Sequence, residues 1–71
     1  MKTVYDIQQY LKRFGSYIYL GDRLADLEMM EFEVRELYNS QLIDIKEYQS
    51  AILILKHEIA LEREKQKKGW V

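Results

Sequence analysis

No proline interrupts the 71 residues, and glycine occurs only at positions 15, 21 and 69. Proline stops a helix by removing an amide donor, and glycine weakens one through its backbone freedom. A chain with so few of either can run in long helices, and with 48% apolar residues it is too hydrophobic to stay disordered. Its length allows one domain with a modest core. There is no cysteine to staple that core, and His57 is the single histidine. Stability must therefore come from dense helix packing or from self-association.

Thr3 is a good N-cap, and Asp6 three residues on can complete a capping box. Val4, Ile7, Leu11 and Phe14 follow at helical spacing, with Tyr10 beside them, and Gly15 offers a left-handed closure. A first helix is expected over about 4–14. The stretch Ser16-Tyr17-Ile18-Tyr19-Leu20 alternates with period two and is rich in β-branched and aromatic residues. It reads as an extended connector at 16–21 without a partner strand, Tyr17 and Tyr19 on one side and Ile18 and Leu20 on the other.

Asp22 caps a second helix, about 23–40. Its inner stripe is Leu24, Leu27, Met30, Val34 and Leu37, while Asp26, Glu33 and Glu36 are expected to face water. Asp44 with Glu47 forms the clearest capping box and opens a third helix, about 45–66. Ile45, Tyr48, Ile52, Leu55 and Ile59 alternate spacings of three and four in a heptad-like seam. Beyond Leu61 the sequence turns polar and fraying is expected. The predicted architecture is all-α: a compact three-helix bundle over residues 1–66, with antiparallel neighbours joined by short loops and a flexible C-terminal tail at 67–71.

The formal net charge of −1 is unevenly spread. Residues 1–20 set Lys2, Lys12 and Arg13 against Asp6. Residues 21–43 carry six carboxylates against Arg23 and Arg35, so the middle helix is acidic. Overall charge predicts no strong attraction to nucleic acid. No apolar stretch follows Lys2, so a secretory signal is not expected, and the longest apolar run, Ala51 to Leu55, falls far short of the roughly 20 residues of a membrane span. A cytoplasmic location is expected.

Catalysis lacks its parts. A thiol nucleophile is impossible without cysteine, and a Ser-His-acid triad would need His57, which sits inside the third helix between Lys56 and Glu58. No glycine-rich phosphate loop occurs. Glu28 with Glu31 and Glu33 with Glu36 are carboxylate pairs that more often form a solvated acidic face than a cation site. No enzymatic activity, cofactor or metal is expected.

Two surfaces are candidates for binding. Tyr17 and Tyr19 with Lys12, Arg13, Arg23 and Arg35 combine aromatic platforms with cations, the chemistry that holds single-stranded RNA or DNA by stacking bases and neutralising phosphates, with affinity that falls steeply in salt. The competing reading makes both tyrosines a half-buried lid over the core. Met29, Met30 and Phe32 exceed what one buried stripe needs, and with Leu53 and Ile54 could form a patch for a second copy or another protein. An ordinary core for a central helix explains them equally well. The basic end, Arg63, Lys65, Lys67 and Lys68 with Trp70, could touch nucleic acid or an acidic surface, but such a run is more often a solvated helix end, with Trp70 simply a terminal residue.

One combination of segments carries a family resemblance. It comprises Tyr5-Asp6-Ile7-Gln8-Gln9-Tyr10-Leu11, then Gly15 through Arg23, Asp26 through Glu31, Glu33 through Tyr38, Glu47-Tyr48, and Ala51 to Leu55 with Glu58. In these the chain resembles the YqgQ-like family of short bacterial proteins, from about Val4 to Arg63. Leu20 stands where the family pattern leads one to expect threonine, and the residues after Glu64 depart from it. The resemblance implies a three-helix bundle with a role in single-stranded nucleic-acid binding and no enzymatic activity. It supplies no motif of proven function to carry over to individual residues.

Overall fold

The computed structural model describes residues 1–68 as three helices: α1 Val4–Lys12, α2 Arg23–Asn39 and α3 Ile45–Lys68. No strand occurs among the described residues. α2 and α3 form the principal pair, and α1 packs against both. The 24 residues of α3 span about 36 Å at a rise of 1.5 Å per residue. They account for much of the long axis of the 43 × 21 × 19 Å molecule.

Each helix begins where its cap residue dictates. Thr3 Oγ1 accepts from the Asp6 N–H at 3.2 Å, while Asp6 Oδ2 accepts from the Thr3 and Lys2 amides at 3.1 and 2.9 Å. Asp22 Oδ2 accepts from the Ala25 N–H at 2.9 Å, and Asp44 Oδ1 from the Glu47 N–H at 2.8 Å. These bonds satisfy amides that a helix start would otherwise leave unpaired.

The C-termini of α1 and α2 close alike. At α1, the Gly15 N–H donates to Lys12 O at 3.0 Å and the Ser16 N–H to Leu11 O at 3.1 Å, with Gly15 at φ 85°. At α2, the Gln41 N–H donates to Tyr38 O and the Leu42 N–H to Leu37 O, both at 2.9 Å, with Gln41 at φ 62°. This is the paired closure that a left-handed residue makes possible. It explains why α1 stops at Lys12 and not at Phe14. The last turn tightens, with the Arg13 and Phe14 amides reaching back only three residues to Tyr10 and Leu11. Phe14 leaves the helical stripe and meets Tyr10 edge-on, ring centroids 5.4 Å apart.

The core draws Val4, Ile7 and Leu11 from α1, Leu27, Met30, Val34 and Leu37 from α2, and Ala51, Ile52, Leu55 and Ile59 from α3. Ile43, in the loop before α3, is buried as well, though no helical periodicity marked it. Tyr38 and Tyr48 stack across the α2–α3 turn with centroids 4.2 Å apart. Ile45, the first residue of the expected seam, is exposed in the first turn of α3, and Leu61, two residues beyond buried Ile59, falls on the opposite side of the helix and is exposed as well.

Two expectations need correction. α3 continues helically to Lys68, past the predicted boundary at 66; of the expected tail, residues 69–71 lie outside the described residues. Asp26, expected to face water, is buried at 9% exposure. Its carboxylate turns back over the start of α2 to meet the connector.

Candidate functional site

The connector, residues 16–20, belongs to no helix and runs over the bundle from α1 to α2. Ile18 packs against the core and serves as its anchor. Tyr17 and Tyr19 stand outward at 75% and 86% exposure, so they are not the half-buried lid of the competing reading. Leu20 departs from the expected alternation: at 62% exposure it faces solvent and not the core. The cause is local. Its backbone N–H is drawn to Asp26 Oδ1 at 2.6 Å, and Gly21 at φ 83° turns the chain immediately afterwards. A second tether holds the other end, where the Ser16 hydroxyl donates to Glu33 Oε2 at 3.2 Å. Both side-chain acceptors lie on α2, so the connector is fixed to that helix at each end.

Between α1 and the connector lies a cleft of about 290 Å³. Buried Leu11 and Met30 form its floor with Ile18, and Gln8, Lys12, Ser16, Tyr17 and Tyr19 complete the lining. On the far side of the connector a shallower hollow is lined by Met29 and Glu33 together with the connector itself.

Of the six residues expected to hold a single strand, the structure brings together Lys12, Tyr17 and Tyr19. The arginines lie elsewhere. Arg13 lines a hollow between α1 and α3 with Lys2, Asp6, Tyr10 and Glu47. Arg23 approaches Glu58 of α3 at 4.0 Å. Arg35 donates through Nε and Nη2 to Glu31 Oε2 at 3.0 and 2.8 Å, which holds its pKa above the usual arginine value. Helix geometry separates them, since the twelve residues from Arg23 to Arg35 correspond to about 18 Å along α2. The acidic side of the balance also shifts. Asp26, expected to face water, is buried and hydrogen-bonded, whereas Glu33 lies beside the connector.

The proposed protein-binding patch does not exist as one surface. Met30 is fully buried in the core and cannot meet a partner. Met29 faces the hollow beside the connector, while Phe32, 52% exposed, sits in the groove between α2 and α3 with Ile59 and Ala60. Leu53 is exposed, and Ile54 packs against the core. The Glu28–Arg63 pair, at 3.1 Å, bridges one end of the groove; as an exposed pair it contributes at most about 1 kcal/mol.

Tyr10 lies at the hollow lined by Arg13. Burial raises its pKa above the ordinary tyrosine value, and a hydrogen bond to Glu47 and the charges of Glu47 and Asp44 add to the effect. His57 is exposed on α3. Among the described residues no group of three or more His, Cys, Asp or Glu side chains is placed to hold a metal ion, and no helix is long and apolar enough to cross a membrane.

Sequence reasoning missed Gln8 and Asp26. Gln8 precedes Lys12 by four residues, the spacing that puts two side chains on one helix face, so its position beside the cleft could have been found. Asp26 had no such signal, since an acidic residue in a first helical turn ordinarily faces solvent and favours the dipole.

The fold and the connector define a small all-α protein: three helices with an aromatic connector held outside the core. The chain belongs to the YqgQ-like family, whose sequence model matches residues 1–61. It is 41% identical over 59 residues, 83% of each chain, to the uncharacterized protein YqgQ of Bacillus subtilis (strain 168). The match takes in α1, the connector, α2 and α3 as far as Leu61, the last apolar residue before the polar end of that helix.

Proposed function

We propose that the chain is a non-enzymatic binding module that takes single-stranded RNA or DNA on Tyr17 and Tyr19, with Lys12 as the phosphate contact, and that it acts in the cytoplasm. The observation that carries this reading is the exposure of both rings on a backbone tethered at each end. Holding two phenol rings in water forgoes the stabilisation that burying them would bring, about 1.5–3 kcal/mol for a large apolar side chain. Exposed rings on a fixed backbone are suited to stacking because little conformational freedom is lost when a base arrives.

The dispersal of the arginines changes the expected salt response. With Lys12 alone beside the rings, few counterions are released, and the logarithm of affinity falls with the logarithm of salt by about 0.7 per phosphate contacted. Affinity is then modest and only weakly salt-dependent. The test is fluorescence anisotropy with mixed-sequence single-stranded oligonucleotides at low salt, comparing wild type with the double variant Tyr17→Ala/Tyr19→Ala. The double variant is expected to lose about 1–3 kcal/mol per stacked base while its thermal melt is unchanged. Absence of binding at low salt, or binding indifferent to the double substitution, removes this reading.

Phe32 and Leu53, both exposed, favour a second reading in which the bundle self-associates or binds another protein. Sedimentation of wild type and Phe32→Ser separates the two, since a strict monomer in both leaves this reading without support for self-association.

A further inference from the structure

We propose that the cleft between α1 and the connector seats one nucleobase, adenine foremost, with Gln8 reading the base edge and Lys12 meeting the adjoining phosphate. This deepens the single-strand reading and rests on it. Tyr17 and Tyr19 stand exposed at the side of the cleft and supply its stacking surface, while Leu11 and Met30, at 1% and 0% exposure, lie beneath it. Its volume of about 290 Å³ falls just below the range of drug-sized ligand sites, about 300–1,000 Å³. It therefore suits a single ring system better than a bulky ligand.

Gln8 and Lys12 supply the polar part. They lie four residues apart on one face of α1, and both line the cleft. Among the described residues neither has a protein partner: Lys12 makes no ion pair, whereas Arg23, Arg35 and Arg63 all do, and the half-buried Gln8 carboxamide makes no hydrogen bond. A carboxamide offers a donor and an acceptor side by side. Adenine presents the matching pair at N6 and N7, whereas guanine offers two acceptors on that edge. On a free strand uracil also offers a donor and an acceptor, at N3 and O4, but its single ring stacks less surface on Tyr17 and Tyr19 than a purine does, so adenine is favoured by edge and face together. A ring in the cleft would have Lys12 one helical turn from Gln8, placed for the phosphate that follows the base.

The experiment is an NMR titration of the whole chain at low salt with oligo(A) and oligo(U) of equal length, and with adenosine monophosphate. Wild type is compared with Gln8→Leu and with Gln8→Glu, which keeps the size but can only accept. Oligo(A) is expected to bind wild type about fivefold or more tightly than oligo(U), the low end of what one bidentate base contact discriminates. Amide shifts are expected to centre on Gln8 and Met30. Both variants are expected to bring the ratio close to one. If oligonucleotides bind but the two affinities are equal, or the ratio survives both substitutions, the cleft assignment is overturned and the tyrosine reading stands. If no oligonucleotide binds, the tyrosine reading fails. In that case, adenosine monophosphate shifts centred on Gln8 and Met30 would keep the cleft as a mononucleotide seat, and their absence would overturn it as well.

Discussion

Leu20 and Asp26 are joined across the start of α2, the Leu20 backbone N–H donating to Asp26 Oδ1 at 2.6 Å while the Asp26 side chain is buried against the bundle. The bond ends the connector. It holds the last connector residue to the first turn of α2, where the positive end of the helix dipole also favours the carboxylate. With Ile18 in the core and Ser16 bonded to Glu33, it leaves Tyr17, Tyr19 and Leu20 facing outward.

Replacing that carboxylate should loosen the connector before it unfolds the bundle. Asp26→Ala is expected to lower stability by about 1.5–3 kcal/mol, the range for losing a hydrogen bond to a charged group. Hydrogen exchange at the Leu20 amide should accelerate more than at Leu27 or Val34, which lie in the core. Equal acceleration at all three amides would mean that the bond supports the whole bundle and not the connector.

The architecture was legible because its signals are local and repeated. Thr3, Asp22 and Asp44 announce helix starts by residue type, and the spacings of Ile7–Leu11, Met30–Val34 and Ile52–Leu55–Ile59 announce the buried faces. What stayed illegible depends on contacts between segments. Asp26 carries the same sequence signature as any solvated carboxylate in a first turn, and only the path of the connector turns it inward. Ile43 is a single apolar residue between two helices, so no period could mark it. Arg13 and Arg23 looked grouped with the tyrosines because they flank them in sequence, but helix phase carries Arg13 to the hollow beside Glu47, while Arg23 approaches Glu58 and the more distant Arg35 pairs with Glu31. Lys12 remained with the tyrosines because one turn of α1 places it over the same cleft.

Adjacent methionines should respond oppositely to truncation. Met30 is completely buried between α1 and α2, so Met30→Ala leaves a cavity and is expected to lower stability by about 2–5 kcal/mol. Met29 sits at the edge of the hollow beside the connector, and Met29→Ala is expected to change stability by less than about 1 kcal/mol. Urea denaturation of both variants measures the contrast. Comparable losses would place Met29 in the core.

Gln41 holds a left-handed backbone at φ 62° to close α2, a conformation that costs about 1–2 kcal/mol for a residue with a side chain. Glycine adopts it without that penalty but loses more freedom on folding. The balance favours Gln41→Gly by about 0.5–1 kcal/mol, read as a higher urea midpoint with an unchanged slope. A loss of stability would show that the glutamine side chain makes a contribution larger than its backbone strain.

The first helix should be the part of the fold most sensitive to acid. At nine residues, α1 is too short to be stable alone and depends on its cap and its packing. The Lys2 amide, and then the Thr3 amide, donate to the Asp6 carboxylate and hold its pKa below the ordinary value of 3.8. Because the folded value is depressed, the ionised group stabilises the fold above 3.8, and that contribution fades as pH falls through the folded value. Asp6→Asn keeps one acceptor but removes the charge, so it should be less stable than wild type at neutral pH and nearly equal to it in strong acid. Urea midpoints for both proteins across that range provide the measurement. A gap that stays constant with pH would mean the cap works through geometry alone and that the Asp6 charge contributes nothing to holding α1 in place.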